Sequence, residues 1–222
     1  RHGVARINPF EVLEQHKNSV TFVQRSDENT KRDFPFDYEL KIKYTINGDT
    51  VTNEYIVTNT GEDKLPFVIG GHPAVNFPLA KKEKFEDYKV VFDKNITKPC
   101  LRPDHHTGLV NVFEKFDEMH GGDTLSLVHE LFEEKDALIF ENCEAKSATL
   151  IGKSGKGVKI EFQDMNNLLI WSAVGNAPFV ALEPWTGLAS CNDEDGLFEH
   201  KRGMTVLEKD ETASFKFKIT MI

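Results

Sequence analysis

Cysteine is scarce in this chain. The 222 residues hold three, Cys100, Cys143 and Cys191, with no Cys-x-x-Cys pair among them. An odd count without paired spacing excludes a disulfide framework or a zinc ribbon and points to a reducing compartment, so the expected location is cytoplasmic. Long hydrophobic runs are missing as well. The longest, around 168–170 and 177–182, fall far short of the ~20 residues that a spanning helix needs, so no membrane partner is expected. Positive charge is in deficit, with 27 Lys and Arg against 36 Asp and Glu and a net charge of −9. Such a surface repels phosphate backbones, which excludes nucleic acid as a partner. No Gly-x-Gly-x-x-Gly, P-loop or Gly-x-Ser-x-Gly pattern occurs, which disfavours nucleotide chemistry and the usual serine hydrolases.

Helical periodicity is also rare, and a period of two takes its place. Phe36, Tyr38, Leu40, Ile42, Tyr44 and Ile46 alternate with Asp37, Glu39, Lys41, Lys43 and Thr45, the pattern of a strand with one buried and one wet face. Asn47-Gly48-Asp49 then predicts a tight hairpin, with a partner strand over 51–58. Ala213, Phe215, Phe217, Ile219 and Met221 alternate in the same way at the end of the chain. Further strands are predicted over 11–24, 88–93, 148–152, 158–163, 168–174 and 179–183. One helix is predicted over 125–134, capped by Asp123 or Thr124, with Leu127, Val128, Leu131 and Phe132 on one stripe. Many short strands with Gly and Pro between them predict an all-β sandwich with very little helix. No linker or repeat divides the sequence, so 1–222 is expected to form a single domain. A chain of this length buries about 70% of its unfolded surface and needs no metal to fold.

Two segments stand out chemically. In Gly70-Gly71-His72-Pro73, the glycines permit close backbone approach or unusual dihedral angles, and the imidazole titrates near neutrality. His72 is either an acid–base group or a turn residue capping a neighbouring carbonyl. Glu183 ends the apolar run 177–182 and precedes Pro184-Trp185. A carboxyl there is either a desolvated base with a raised pKa or a structural group paired with an arginine. Trp185 offers a flat face of the kind sugars stack on, or simply fills the core. Arg1-His2-Gly3-Val4-Ala5-Arg6 places two cations and a histidine beside a glycine. Asp136 is a lone acid at a strand entrance. Asp104-His105-His106 and His120 lack well-spaced partners, so no metal site is expected.

These residues, taken in order, match a known pattern. The chain resembles the aldose 1-epimerase (galactose mutarotase) family, especially its bacterial LacX-like subgroup. His2-Gly3-Val4-Ala5-Arg6 is similar to the family's His-Gly-Phe-Ala-Arg. Thr30 through Pro35-Phe36 is similar to its Thr…Pro-Phe stretch. Gly71-His72-Pro73-Ala74 with Asn76 resembles its Gly-His-Pro-Ala-Phe-Asn, and Glu183-Pro184-Trp185 its Glu-Pro-Trp. The resemblance implies a galactose-mutarotase-like β-supersandwich and a cofactor-free enzyme that interconverts the α and β anomers of a free hexose. It implies Glu183 as the general base, His72 as the general acid at the ring oxygen, and His2 as a second histidine near that oxygen. Asp136 is then a ligand of sugar hydroxyls, and Arg6, Asn76 and Trp185 are substrate contacts. In the family, β-structure precedes the first of these motifs, so the resemblance implies a chain lacking the N-terminal part. Strand edges exposed in that way would allow homo-oligomers. Two alternatives stay open: a hexose-6-phosphate 1-epimerase, using some of the six arginines, and a non-catalytic sugar-binding or regulatory protein.

Overall fold

The structure, a computed structural model, describes residues 2–104, 106–133 and 136–222. Arg1, His105 and the 134–135 end of the expected helix lie outside the described residues. The chain runs through β1 (Glu11–Gln15), β2 (Ser19–Arg25), α1 (Glu28–Asp33), β3 (Tyr38–Asn47) and β4 (Thr50–Asn59). Next come β5 (Leu65–Phe67), β6 (Ala74–Asn76), β7 (Tyr88–Phe92), β8 (Cys100–Pro103) and β9 (Val110–Phe116). After β10 (Thr124–Ser126) and α2 (Glu130–Glu133) follow β11 (Ala137–Phe140), β12 (Ser147–Gly152) and β13 (Gly157–Glu161). The chain closes with β14 (Asn167–Trp171), β15 (Phe179–Trp185), β16 (Thr205–Leu207) and β17 (Thr212–Met221).

Two large antiparallel sheets result. One has nine strands in the order β1-β2-β3-β4-β17-β13-β12-β7-β10; the other has six, β6-β15-β14-β11-β8-β9. β5 and β16 form a separate pair. The all-β expectation therefore holds, with two short α-helices among the described residues. No helix among them is long and apolar enough to cross a membrane.

The period of two explains the layers. In the six-stranded sheet, Leu138, Phe140, Leu168, Ile170, Val180 and Leu182 face the main core, packed against Leu40, Val57, Leu150, Ile160 and Phe217 of the larger sheet. Their alternate neighbours, Ala137, Ile139 and Leu169, belong to a second apolar cluster with Leu101, Val110 and Leu188. Adjacent residues of a strand point to opposite faces, so both faces of this sheet carry side-chain layers.

Three local expectations are corrected. The 11–24 strand is a hairpin, because His16-Lys17-Asn18 are polar in a row and reverse the chain, with the His16 N–H donating to the Ser19 carbonyl at 2.8 Å. The 125–134 helix is mostly absent. Leu125 and Leu127 are buried either side of exposed Ser126, and the free edge of β7 pairs 124–126 as a strand, so only Glu130–Glu133 turns helical. The 36–46 strand begins at Tyr38, and its apolar face is covered only as far as Ile42, leaving Ile46 55% exposed. The tight hairpin expected after it does form, with Gly48 at positive φ (+58°) and Asn47 in the strand opposite Thr50. Helix α1 is not among the expected elements; it is capped by the Asp27 carboxylate, which accepts from the Thr30 N–H at 2.8 Å.

The segment that carries His2 is tied to the larger sheet by one buried amide. Gln24 donates to the carbonyls of Asn8 (3.0 Å) and Pro9 (3.4 Å) and accepts from the Tyr38 hydroxyl (2.8 Å). A Gln24→Leu substitution removes the amide acceptor of the buried Tyr38 hydroxyl and releases the segment. It should lower unfolding stability by about 1–3 kcal/mol, measured by urea denaturation, and increase hydrogen exchange over residues 4–8.

Candidate functional site

The parity of β15 places the site. Val180 and Leu182 are fully buried in the main core, which turns Ala181, Glu183 and Trp185 to the opposite face. Glu183 is only 1% exposed there. Its neighbours across the sheet are Leu169 on β14 and, beyond it, Ile139 on β11, so the carboxyl sits at the end of an apolar row.

The Gly70-Gly71-His72-Pro73 loop lies directly on this strand. Gly71 N–H donates to the Pro184 carbonyl (3.0 Å), and Leu182 N–H donates to the Pro73 carbonyl (3.1 Å). Neither glycine has positive φ. Close approach is what requires them: a Cβ on Gly70 would lie 2.3 Å from Trp185 Cδ1, and one on Gly71 would lie 2.6 Å from the Phe217 ring. Trp185 Nε1 adds a hydrogen bond to the Gly71 carbonyl (3.2 Å). The loop delivers His72 Nδ1 to 3.3 Å from Glu183 Oε1, with the imidazole side chain 39% exposed at the mouth.

The other groups converge from three directions. The His2 ring lies 5.6 Å from that of His72. Asp136 enters β11 in a left-handed conformation (φ +63°), and its Oδ1 accepts from Trp171 Nε1 at 2.5 Å. His2, His72, Asp136, Trp171, Glu183 and Trp185 line an open pocket of ≈ 670 Å³ including its mouth, floored by Leu169, Ile139 and Ala137. Arg6 is exposed on a single 3-10 turn and Asn76 on edge strand β6, and neither lines the pocket. Among the described residues no group of three His, Cys, Asp or Glu is placed to hold a metal ion.

Electrostatics separate the two central groups. Burial, helped by the negative charge of Asp136 and partly offset by the Trp185 indole N–H, pushes Glu183 up to about 8. Burial pulls His72 down; a backbone hydrogen bond opposes this, and the nearby Arg6 charge reinforces it. At neutral pH both shifts favour an uncharged carboxylic acid beside a neutral imidazole over an ion pair. Glu183 Oε2 is buried and lacks a hydrogen-bond partner. A proton can thus move between two adjacent groups in a pocket with an apolar floor, which is equipment for acid–base chemistry on a small polar molecule.

Trp171 and the Leu169–Ile139 floor were missed from sequence. Trp171 ends the apolar run Leu168-Leu169-Ile170, and nothing in such a run separates a pocket wall from core.

Comparison with known proteins adds the lineage. The family model for aldose 1-epimerase matches residues 1–220. The plasmid and chromosomal LacX proteins of Lactococcus lactis subsp. lactis are each 34% identical over 226 residues, which cover all of this chain and 75% of theirs. The crystal structure of a galactose mutarotase related enzyme from Lactobacillus acidophilus superposes with a TM-score of 0.92 at 27% identity, covering all of this chain and 74% of that one. A galactose mutarotase-like protein from Lactobacillus casei gives 0.86 at 29% identity, covering all of this chain and 76% of that one. The chain thus spans about three quarters of the length of these relatives, and its fold is the mutarotase-like β-supersandwich.

The raised Glu183 pKa has a consequence for stability. The carboxyl ionises near 4.5 in its ordinary state and near 8 in the fold, so folding takes up a proton between those values. Its stabilising contribution is complete below pH 4.5 and is lost as pH rises through 8. Glu183→Gln cannot ionise. In thermal melts its Tm should match that of the parent at pH 4.5 and exceed it progressively up to pH 8.

Proposed function

We propose, from the premise that the chain belongs to the aldose 1-epimerase family, that it interconverts the α and β anomers of a free hexose. The observation that carries this reading is the 3.3 Å contact between His72 Nδ1 and Glu183 Oε1 inside the pocket. The anomeric hydroxyl oxygen and the ring oxygen of a pyranose are bonded to one carbon. An acid and a base that serve both must therefore be neighbours.

In the proposed reaction, ionised Glu183 takes the proton of the anomeric hydroxyl while protonated His72 donates one to the ring oxygen. The C1–O5 bond breaks with its electrons passing to O5, and C1 becomes an aldehyde carbon. Rotation about C1–C2 presents the other face of the carbonyl. Ring closure returns the proton of the O5 hydroxyl to His72, and the carboxyl of Glu183 reprotonates the former carbonyl oxygen as the opposite anomer. No atoms are gained or lost. In this reading His2 hydrogen-bonds near the ring oxygen, Asp136 accepts from sugar hydroxyls, and the Leu169–Ile139 floor takes the C–H face of the ring. The active protonation state, Glu183 ionised and His72 charged, is a minority form at neutral pH, given the directions of the two shifts. Mutarotation is a fairly easy reaction, and the roughly 100- to 10,000-fold that each acid–base group supplies is ample.

A neutral sugar fits better than a sugar phosphate. Two carboxyl groups face the pocket, and none of the described residues lining it is Lys or Arg.

The test is anomer exchange followed by NMR or polarimetry with glucose, galactose and glucose 6-phosphate. Glu183→Gln and His72→Asn should each slow exchange of the free sugars by roughly 100-fold or more. Acceleration of the phosphate sugar alone would favour the phosphate epimerase, and binding without variant-sensitive turnover a sugar-binding protein. The pH profile of kcat/KM should be bell-shaped. Its acid limb should lie below 6.5, from His72, and its alkaline limb near 8, from Glu183. Asp136→Asn should move the alkaline limb down, because the Asp136 charge helps to raise Glu183.

A further inference from the structure

We infer that Trp171 is a positioning residue that sets Asp136 and His72 in one register across the pocket. This inference rests on the reading above, since it gives those two groups their tasks. Trp171 is the last residue of β14 and lies between Ala137 on β11 and Ala181 on β15, in the row next to the one that holds Glu183. From there the indole reaches two different functional groups.

The indole N–H donates to Asp136 Oδ1 at 2.5 Å. Asp136 needs such a hold. Its backbone is in the left-handed region, where a residue other than glycine costs energy unless its surroundings fix it. A hydrogen bond to a carboxylate is short, directional and stronger than one between neutral groups, so it defines where the second oxygen points. The same indole meets the His72 imidazole nearly at right angles (86°), with ring centroids 5.5 Å apart. Phe179 packs against the indole from another side, at 5.3 Å and 58°, and limits its freedom to swing. A rigid aromatic plane thus contacts both the group that would bind sugar hydroxyls and the group that would protonate the ring oxygen. Neither contact is made to Glu183 itself; the indole bears on the base only through Asp136 and His72.

The two contacts can be separated by substitution. Trp171→Phe keeps a ring beside His72 and removes only the N–H. It should weaken binding of galactose or glucose about tenfold, by calorimetry or KM, while kcat stays within about twofold of the parent and the His72 titration seen by ¹H–¹⁵N NMR does not move. Trp171→Leu removes both contacts. It should also lower kcat and move the His72 titration toward its ordinary value. Because the N–H acts through Asp136, Trp171→Phe combined with Asp136→Asn should bind sugar no more weakly than Asp136→Asn alone. Additive losses in that double variant would overturn the inference, as would an unaltered His72 titration in Trp171→Leu. If the parent chain shows no mutarotation, the functional reading fails, and the His72 titration in the two Trp171 variants still decides whether the indole positions it.

Discussion

The site depends on the parity of one strand. Val180 and Leu182 of β15 have their place in the main core, and the alternation of a β-strand then commits Glu183 to the other face. That face is not open solvent. It carries a second apolar layer built on Leu101, Ile139 and Leu169, so the carboxyl is buried without being part of the main core. A one-residue slip of β15 would bury Glu183 in the main core and send Leu182 into the pocket. The stability of the core therefore enforces the position of the acid.

From that constraint the remaining features follow in turn. A carboxyl buried beside Leu169 and Ile139 resists ionisation, and the nearby Asp136 increases the resistance. The Gly70-Gly71 backbone must come very close to bring an imidazole within reach, because Trp185 and Phe217 already occupy the space where side chains would go. His2 arrives on a segment anchored by Gln24 in the opposite sheet. Two sheets and a loop thus meet around one proton-exchanging pair, and the fold bears the cost of holding a carboxyl where water would otherwise stabilise it.

The sequence discloses these levels unevenly. The β3–β4 hairpin could be read because alternation and the Asn47-Gly48 turn agree, and the isolation of Glu183 and His72 among apolar, Gly and Pro residues marked them as unusual. Strand β10 could not be read, because Leu127, Val128, Leu131 and Phe132 also fit a helical stripe, and only the waiting edge of β7 decides between them. Trp171 and Leu169 were invisible for a different reason. In a sheet covered on both faces a strand is apolar throughout, and sequence does not say which face holds a pocket. The approach of His2 to His72 spans 70 positions and entered only through the ordered family motifs. The same motifs suggested Arg6 and Asn76, which flank the contacting residues in sequence and are not among the residues lining the pocket, although the Arg6 charge is close enough to act on His72.

The most direct test is the protonation state of Glu183 itself. Infrared difference spectra between the parent and Glu183→Gln isolate the band of its carboxyl group. A protonated C=O stretch that persists at pH 7 and gives way to carboxylate near pH 8 is the predicted result. A carboxylate band already complete at pH 6 would contradict it, and with it the account of a buried acid held beside a neutral histidine.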